Sequence, residues 1–90
     1  MEIKTGIYQH YKGYMYLVLG VATHSESREP LVVYVPLYLR KGDKKSEWMV
    51  RPALGPEGFL EKVNKPEYKW KGPRFKFLFP VDTSALKRSK

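Results

Sequence analysis

A period of two in the apolar positions is the dominant pattern along this 90-residue chain. It is clearest in two segments, YMYLVLGV at residues 14–21 and LVVYVPLYL at residues 31–39. Successive side chains of a strand point to opposite faces of a sheet, so the pattern predicts two β-strands. Only a short polar turn joins them. We therefore expect the strands to pair antiparallel around one core that includes Leu17 and Val33.

Further short alternations extend this prediction. EWMVRP at residues 47–52 and RFKFLF at residues 74–79 indicate two more strands, and an earlier strand ends at His10. Helical periodicity is almost absent. About five short strands separated by turn signals predict an all-β protein, a small antiparallel barrel in which closure removes the exposed edges of the sheet.

The segments between these strands are harder to assign. FLEKV at residues 59–63 predicts a single turn or a short strand that places Phe59 and Leu60 in the core. NKPEYKWKGPR at residues 64–74 is rich in Pro, Gly and Lys and predicts a polar loop, while RKGDKKSE at residues 40–47 predicts an exposed hairpin tip.

Chain length and composition limit the domain organisation and the compartment. Ninety residues suffice for one core, which we assign to residues 1–80, with residues 81–90 as a flexible basic tail. The absence of cysteine excludes disulfides and thiolate zinc sites and favours a reducing compartment. No apolar run approaches the roughly 20 residues of a membrane helix, so we expect a soluble, cytoplasmic protein with no membrane partner.

Charge is distributed unevenly along the chain. Residues 1–39 sum to zero, whereas residues 40–90 contain fourteen Lys or Arg and six Asp or Glu, so the whole net charge of +8 lies there. Such asymmetry indicates a polyanionic partner, RNA or DNA, although a solvated lysine-rich surface explains it as well.

Aromatic residues alternate with cations in the basic half, as in proteins that stack on unpaired bases and hold phosphates. The candidate nucleic-acid-binding residues are Lys65, Tyr68, Lys69, Trp70, Lys71 and Arg74. The alternative is that the aromatic side chains fill the core or cover an open end of the barrel.

Polar residues at strand ends form a second candidate site. A small anionic ligand could bind where strand ends converge at one rim of the barrel, and the candidates are His10, His24, Glu26, Arg51 and Tyr34. The alternative is that His24 and Glu26 satisfy the backbone of their turn and that Arg51 pairs with Glu29. No nucleophile motif, phosphate-binding glycine loop or metal-ligand spacing is present, so we assign no catalytic residue, metal or cofactor, and favour a protein that is not an enzyme.

Five sequence blocks taken together resemble the bacterial family known as domain of unknown function 1653 (DUF1653). They are GIYQHYKG, YLVLGVATHSES, EPLVVYVPLY, WMVRP and FLEKV, in the order and spacing of the family, and they cover about residues 5 to 63. The resemblance implies a small SH3-like barrel. It implies little about activity, because the family is uncharacterised.

These observations favour a noncatalytic binding module that contacts nucleic acid through its basic C-terminal half. Two alternatives remain open. One is the anionic-ligand rim, and the other is an SH3-like module that binds a peptide of a partner protein in a groove lined by Tyr8, Tyr11, Tyr34 and Trp48.

Overall fold

The computed structural model describes residues 2–39, 42 and 47–82. The predicted hairpin tip at residues 40–47 and the predicted tail at residues 81–90 lie mostly outside this part of the chain, and the division into domain and tail stays a prediction. A short 3-10 helix covers Pro66–Tyr68. The strands in the described residues are β1 (Gly6–His10), β2 (Met15–Thr23), β3 (Pro30–Pro36), β4 (Met49–Pro52), β5 (Lys62–Lys65), β6 (Trp70–Pro73) and β7 (Phe75–Pro80).

The predicted all-β, antiparallel architecture is confirmed. Five strands form one sheet in the order β4-β3-β2-β1-β7, and β5 and β6 form a separate hairpin. β2 and β3 pair antiparallel as expected, with Leu17 opposite Val35 and Val18 opposite Tyr34. The register shifts between Val18 and Gly20, where the glycine within the strand predicts a bulge.

Closure into an SH3-like barrel is not confirmed. In the described residues no ladder joins β4 to β7, so these strands are the two edges of an open sheet. The sheet nevertheless curls, because the guanidinium carbon of Arg51 on β4 lies 5.3 Å from the ring centroid of Phe75 on β7. The edges therefore meet through side chains, while residues between β4 and β7 form the separate hairpin.

The core lies on the tyrosine-bearing side of β2 and β3. Leu17 and Val33 are only half-buried, so their predicted place in the core is wrong. Leucine and valine have no side-chain polar atom to satisfy, so the sequence alone favours that side as the core. The buried cluster instead consists of Tyr8, Tyr16, Val18, Val32, Tyr34, Ala53, Phe59 and Phe75.

Two of the three tyrosines in this cluster have hydroxyls that reach polar partners at its margin. The Tyr8 hydroxyl donates to the carbonyl oxygen of Lys4 at 2.7 Å. The hydroxyls of Tyr16 and Tyr38 share a hydrogen bond of 3.2 Å. Burial, and then the bond to Tyr38, raise the pKa of Tyr16. Each ring therefore contributes a large apolar area without leaving a buried hydroxyl unsatisfied.

The segment after β4 differs from its prediction in two respects. Phe59 lies in the core as expected, 2% exposed, but Leu60 is 41% exposed. Residues 64–74, predicted to be a polar loop, form most of the β5–β6 hairpin. No helix in the described residues is both long and apolar enough to span a membrane.

We expect Phe59→Ala to lower the free energy of unfolding by about 3 to 5 kcal/mol, as large-to-small changes in a packed core do. The Phe59 ring is stacked on Phe75 with centroids 4.5 Å apart, so the change leaves a cavity beside that ring. Urea denaturation measures the loss. Leu60→Ala is the matched control and should change stability by no more than about 0.5 kcal/mol. Equal effects of the two changes would show that the packing described here is wrong.

Candidate ligand-binding surface

His10 connects the core to the surface at the end of β1. Its ring lies against Phe75, with centroids 5.0 Å apart, and against Tyr11, with centroids 4.1 Å apart. Its Nδ1 accepts a hydrogen bond of 3.1 Å from the backbone N–H of Lys12. Since Nδ1 is an acceptor, a neutral His10 carries its proton on Nε2.

Several effects keep His10 neutral. Burial lowers the pKa of His10 to about 4, and the positive charges of Arg74, Arg51 and Lys12 act in the same direction. Arg74 directly follows the β5–β6 hairpin, Lys12 lies in the β1–β2 turn, and Arg51 lies on β4. The end of β1 is therefore a region of converging positive charge.

Tyr11 is the centre of a cationic and aromatic surface next to His10. Lys65 Nζ lies 5.3 Å from the Tyr11 ring centroid, and the guanidinium carbon of Arg74 lies 5.7 Å from it. The ring of Tyr68 meets it edge-on at 5.4 Å. We call Tyr11, Lys12, Lys65, Tyr68 and Arg74 the Tyr11 surface. It joins the β1–β2 turn to the β5–β6 hairpin.

Opposite faces of the hairpin differ in exposure. Lys65 lies opposite Trp70 in the ladder, and both are half-buried, whereas Asn64 and Lys71 form an exposed pair. Side chains of neighbouring pairs point to opposite faces. Lys71 therefore lies on the other face from Lys65, and Lys69 is exposed at the turn between the strands.

The side chains of Trp70 and Arg74 both have polar partners in or next to the β5–β6 hairpin. The indole N–H of Trp70 donates to the carbonyl oxygen of Pro73 at 2.7 Å, which holds the ring on the hairpin. Arg74 forms a salt bridge with Glu61. The hydrogen bond from Arg74 lowers the pKa of Glu61. Of the predicted nucleic-acid-binding residues, the structure thus gathers Lys65, Tyr68 and Arg74 on one surface. Their role stays a prediction.

The structure brings only some of the predicted rim residues together, and His24 and Glu26 lie apart from His10. The backbone N–H of His10 donates to the carbonyl oxygen of Tyr14, just before β2, whereas His24 follows the last residue of β2. The nine residues of β2 span about 30 Å, which separates His24 and Glu26 from His10.

His24 and Glu26 have a structural role in their turn. The backbone N–H groups of Glu26 and Ser27 donate to Nδ1 of His24 at 3.1 and 3.2 Å. This is the turn-scaffolding alternative. The described residues contain no group of three or more His, Asp or Glu side chains able to hold a metal ion.

Arg51 and Tyr34 do share a neighbour with His10. The Tyr34 and Phe75 ring centroids lie 6.0 Å apart, so all three residues surround the same phenylalanine. Arg51 donates from Nη1 to the carbonyl oxygen of Glu57 at 2.6 Å, in place of the expected pairing with Glu29.

The fold and this surface together define a small all-β protein with an open, curled antiparallel sheet and a docked hairpin. The family model described as "Protein of unknown function (DUF1653)" matches residues 6–77, and the chain belongs to this family. The match extends past the sequence blocks and includes the β5–β6 hairpin and the first half of β7.

A solved structure gives the same result. The crystal structure of a DUF1653 protein from Bordetella bronchiseptica is 33% identical in sequence, with a TM-score of 0.71. The comparison covers 90% of this chain and 94% of that one. A search of curated proteins found no match.

The position of His10 predicts a loss of stability in acid. Its pKa of about 4 in the folded protein lies below the value of 6.5 for the free side chain. Between these values the unfolded chain binds more protons, so the free energy of unfolding should fall as the pH is lowered from 6.5 to 4.

Urea denaturation across this range measures the effect in wild type and in His10→Gln. The substitution should remove the His10 contribution to the pH dependence, whereas His24→Gln should retain it. An NMR titration in which the His10 ring titrates at or above pH 6.5 would contradict the burial and charge described here.

Proposed function

We propose that this protein is a noncatalytic binding module that contacts single-stranded RNA or DNA through the Tyr11 surface. The observation that carries the proposal is the gathering of Lys65, Tyr68 and Arg74 around the Tyr11 ring. Exposed rings stack on unpaired bases and adjacent cations neutralise phosphates, which is how sequence-tolerant single-strand binding arises.

Tyr68 is the residue that we assign to base stacking. It is 44% exposed, whereas Trp70 is held on the hairpin by its bond to Pro73. Tyr11 is less suitable, because His10 already lies against its ring. A base on Tyr68 would have Lys65 and Arg74 nearby for the adjoining phosphates.

The charges of the surface favour a polyanion over a neutral ligand. Glu61 forms an ion pair with Arg74 and so partly neutralises its charge. Lys12 and Lys65 have no ion pair with any of the described residues. The whole net charge of +8 also lies in the C-terminal half, which contains the hairpin. Within the same proposal, the cysteine-free sequence supports a cytoplasmic location.

Fluorescence anisotropy with a labelled oligouridylate of about 12 nucleotides tests this proposal. Affinity should fall steeply with salt, with a slope of about −0.7 per neutralised phosphate. Lys65→Gln should weaken binding and reduce the slope by about 0.7, while Tyr68→Ala should cost about 1 to 3 kcal/mol at an unchanged slope.

Lys71→Gln is the matched control, because Lys71 lies on the opposite face of the same hairpin. It should leave affinity near the wild-type value. No binding of RNA or the corresponding DNA at about 50 mM salt would overturn the proposal, since low salt favours every cationic contact. Equal losses from Lys65→Gln and Lys71→Gln would show nonspecific attraction without a defined surface.

A further inference from the structure

We propose that the free edge of β4 is a second binding site, which takes an extended peptide with alternating acidic and apolar residues. This site is independent of the nucleic-acid proposal. It would add a strand to the sheet, a common mode of peptide recognition in which backbone hydrogen bonds provide affinity and alternate side chains provide specificity.

The hydrogen-bond pattern shows which backbone groups face the free edge. The Ala53 N–H donates to the carbonyl oxygen of Pro30 at 3.0 Å, which fixes the phase of the β3–β4 ladder. Since bonding alternates along an antiparallel strand, Met49 and Arg51 direct their backbone groups to β3, and Val50 directs its N–H and C=O away. The Pro52 carbonyl oxygen agrees with this phase. It faces away from β3, where it accepts a hydrogen bond from the backbone N–H of Phe59.

β4 exposes apolar side chains beside its free edge. In the described part of the chain, β4 and β7 are the edges of the sheet. β7 carries an exposed lysine, Lys76, as protected edges often do. β4 is only four residues long and also ends at a proline, but Trp48 just before it is 65% exposed and Val50 within it is 59% exposed.

The two faces of β4 specify the alternation of the peptide. Val50 lies opposite Val33 on the outer face, away from the core. Arg51 lies opposite the fully buried Val32, so it points to the core side. There it lines an open groove of about 380 Å³ whose other lining residues are Tyr34, Met49, Pro52, Pro56, Glu57 and, at the edge of the strand, Val50. An added strand would therefore place apolar side chains beside Val50 and polar ones beside Arg51.

The positive charge of Arg51 predicts that the polar residues of the peptide are acidic. Glu57 binds Arg51 through its backbone carbonyl, so no ion pair within the described residues neutralises this guanidinium. A carboxylate on the peptide would supply that pair. The net charge of +8 opposes a second copy of the chain at this edge. The free edge is also short against the roughly 800 Å² per partner of a stable dimer.

A displayed library of random peptides of about eight residues, selected on the immobilised full chain, tests the proposal. Selected sequences should alternate acidic and apolar residues. A synthetic peptide from the selection should bind at least about tenfold more weakly when its acidic residues are replaced by glutamine, since charge-assisted bonds to arginine are the stronger kind. Selection of basic peptides, or of none above a protein-free surface, would overturn the proposal.

Val50→Pro is the most specific variant, because it removes an N–H that faces the free edge and leaves the β3–β4 ladder intact. It should weaken the peptide at least about tenfold, which corresponds to ~1.4 kcal/mol. If circular dichroism shows that this variant unfolds, Trp48→Ala provides the test, with Phe79→Ala on the other edge as its control.

Unchanged binding to folded Val50→Pro, or equal losses from Trp48→Ala and Phe79→Ala, would contradict a site at this edge. Light scattering tests whether a second copy of the chain, and not a peptide, occupies this edge. A wild-type dimer that Val50→Pro converts to a monomer would show that a second copy covers β4, and would overturn the peptide proposal.

Discussion

The ring of Phe75 is the contact on which the rest of this structure depends. It stacks on Phe59 from the segment after β4 and meets the rings of His10, Tyr16 and Tyr34 from the three inner strands of the sheet. Arg51 from the far edge lies over it as well. One side chain thus connects β7 to every other strand of the sheet. In a chain of 90 residues, where a core is small, such a contact can stabilise a curled sheet that no ladder closes.

Both proposed binding surfaces depend on that contact. On one side it buries His10, which in turn positions Tyr11 against Lys65, Tyr68 and Arg74. On the other it holds Arg51 beneath the free edge of β4, where a guanidinium without an ion pair among the described residues lines a groove. Burial, and then the positive charges on both sides, lower the pKa of His10 and keep it neutral. The two surfaces are thus supported by one aromatic core and differ in the chemistry they present.

The sequence predicts the strands and the family well, but not the surfaces. Period-two alternation places β2, β3, β4 and β7, because an apolar pattern of that period fits only a strand. It fails for the β5–β6 hairpin, whose alternation of Val63 and Lys65 with exposed polar residues resembles a loop. It also fails to choose between the tyrosine and leucine faces of β2, since that depends on hydroxyl partners distant in sequence, as for Tyr16 and Tyr38. His24 shows the same limit, because a turn cap and a ligand-binding histidine have the same local sequence.

Nuclear Overhauser effects from the Phe75 ring are the most direct test of whether the sheet curls around this side chain. The ring protons should show cross-peaks to the Phe59 ring and to the Arg51 side chain, because the corresponding centroid distances are 4.5 and 5.3 Å. Both contacts join residues far apart in sequence, so neither arises from local chain geometry. Cross-peaks to Phe59 and Arg51 would show that the sheet curls around Phe75. A Phe75 ring with cross-peaks only to its neighbours in β1 and β7 would show a flat sheet and would contradict the account.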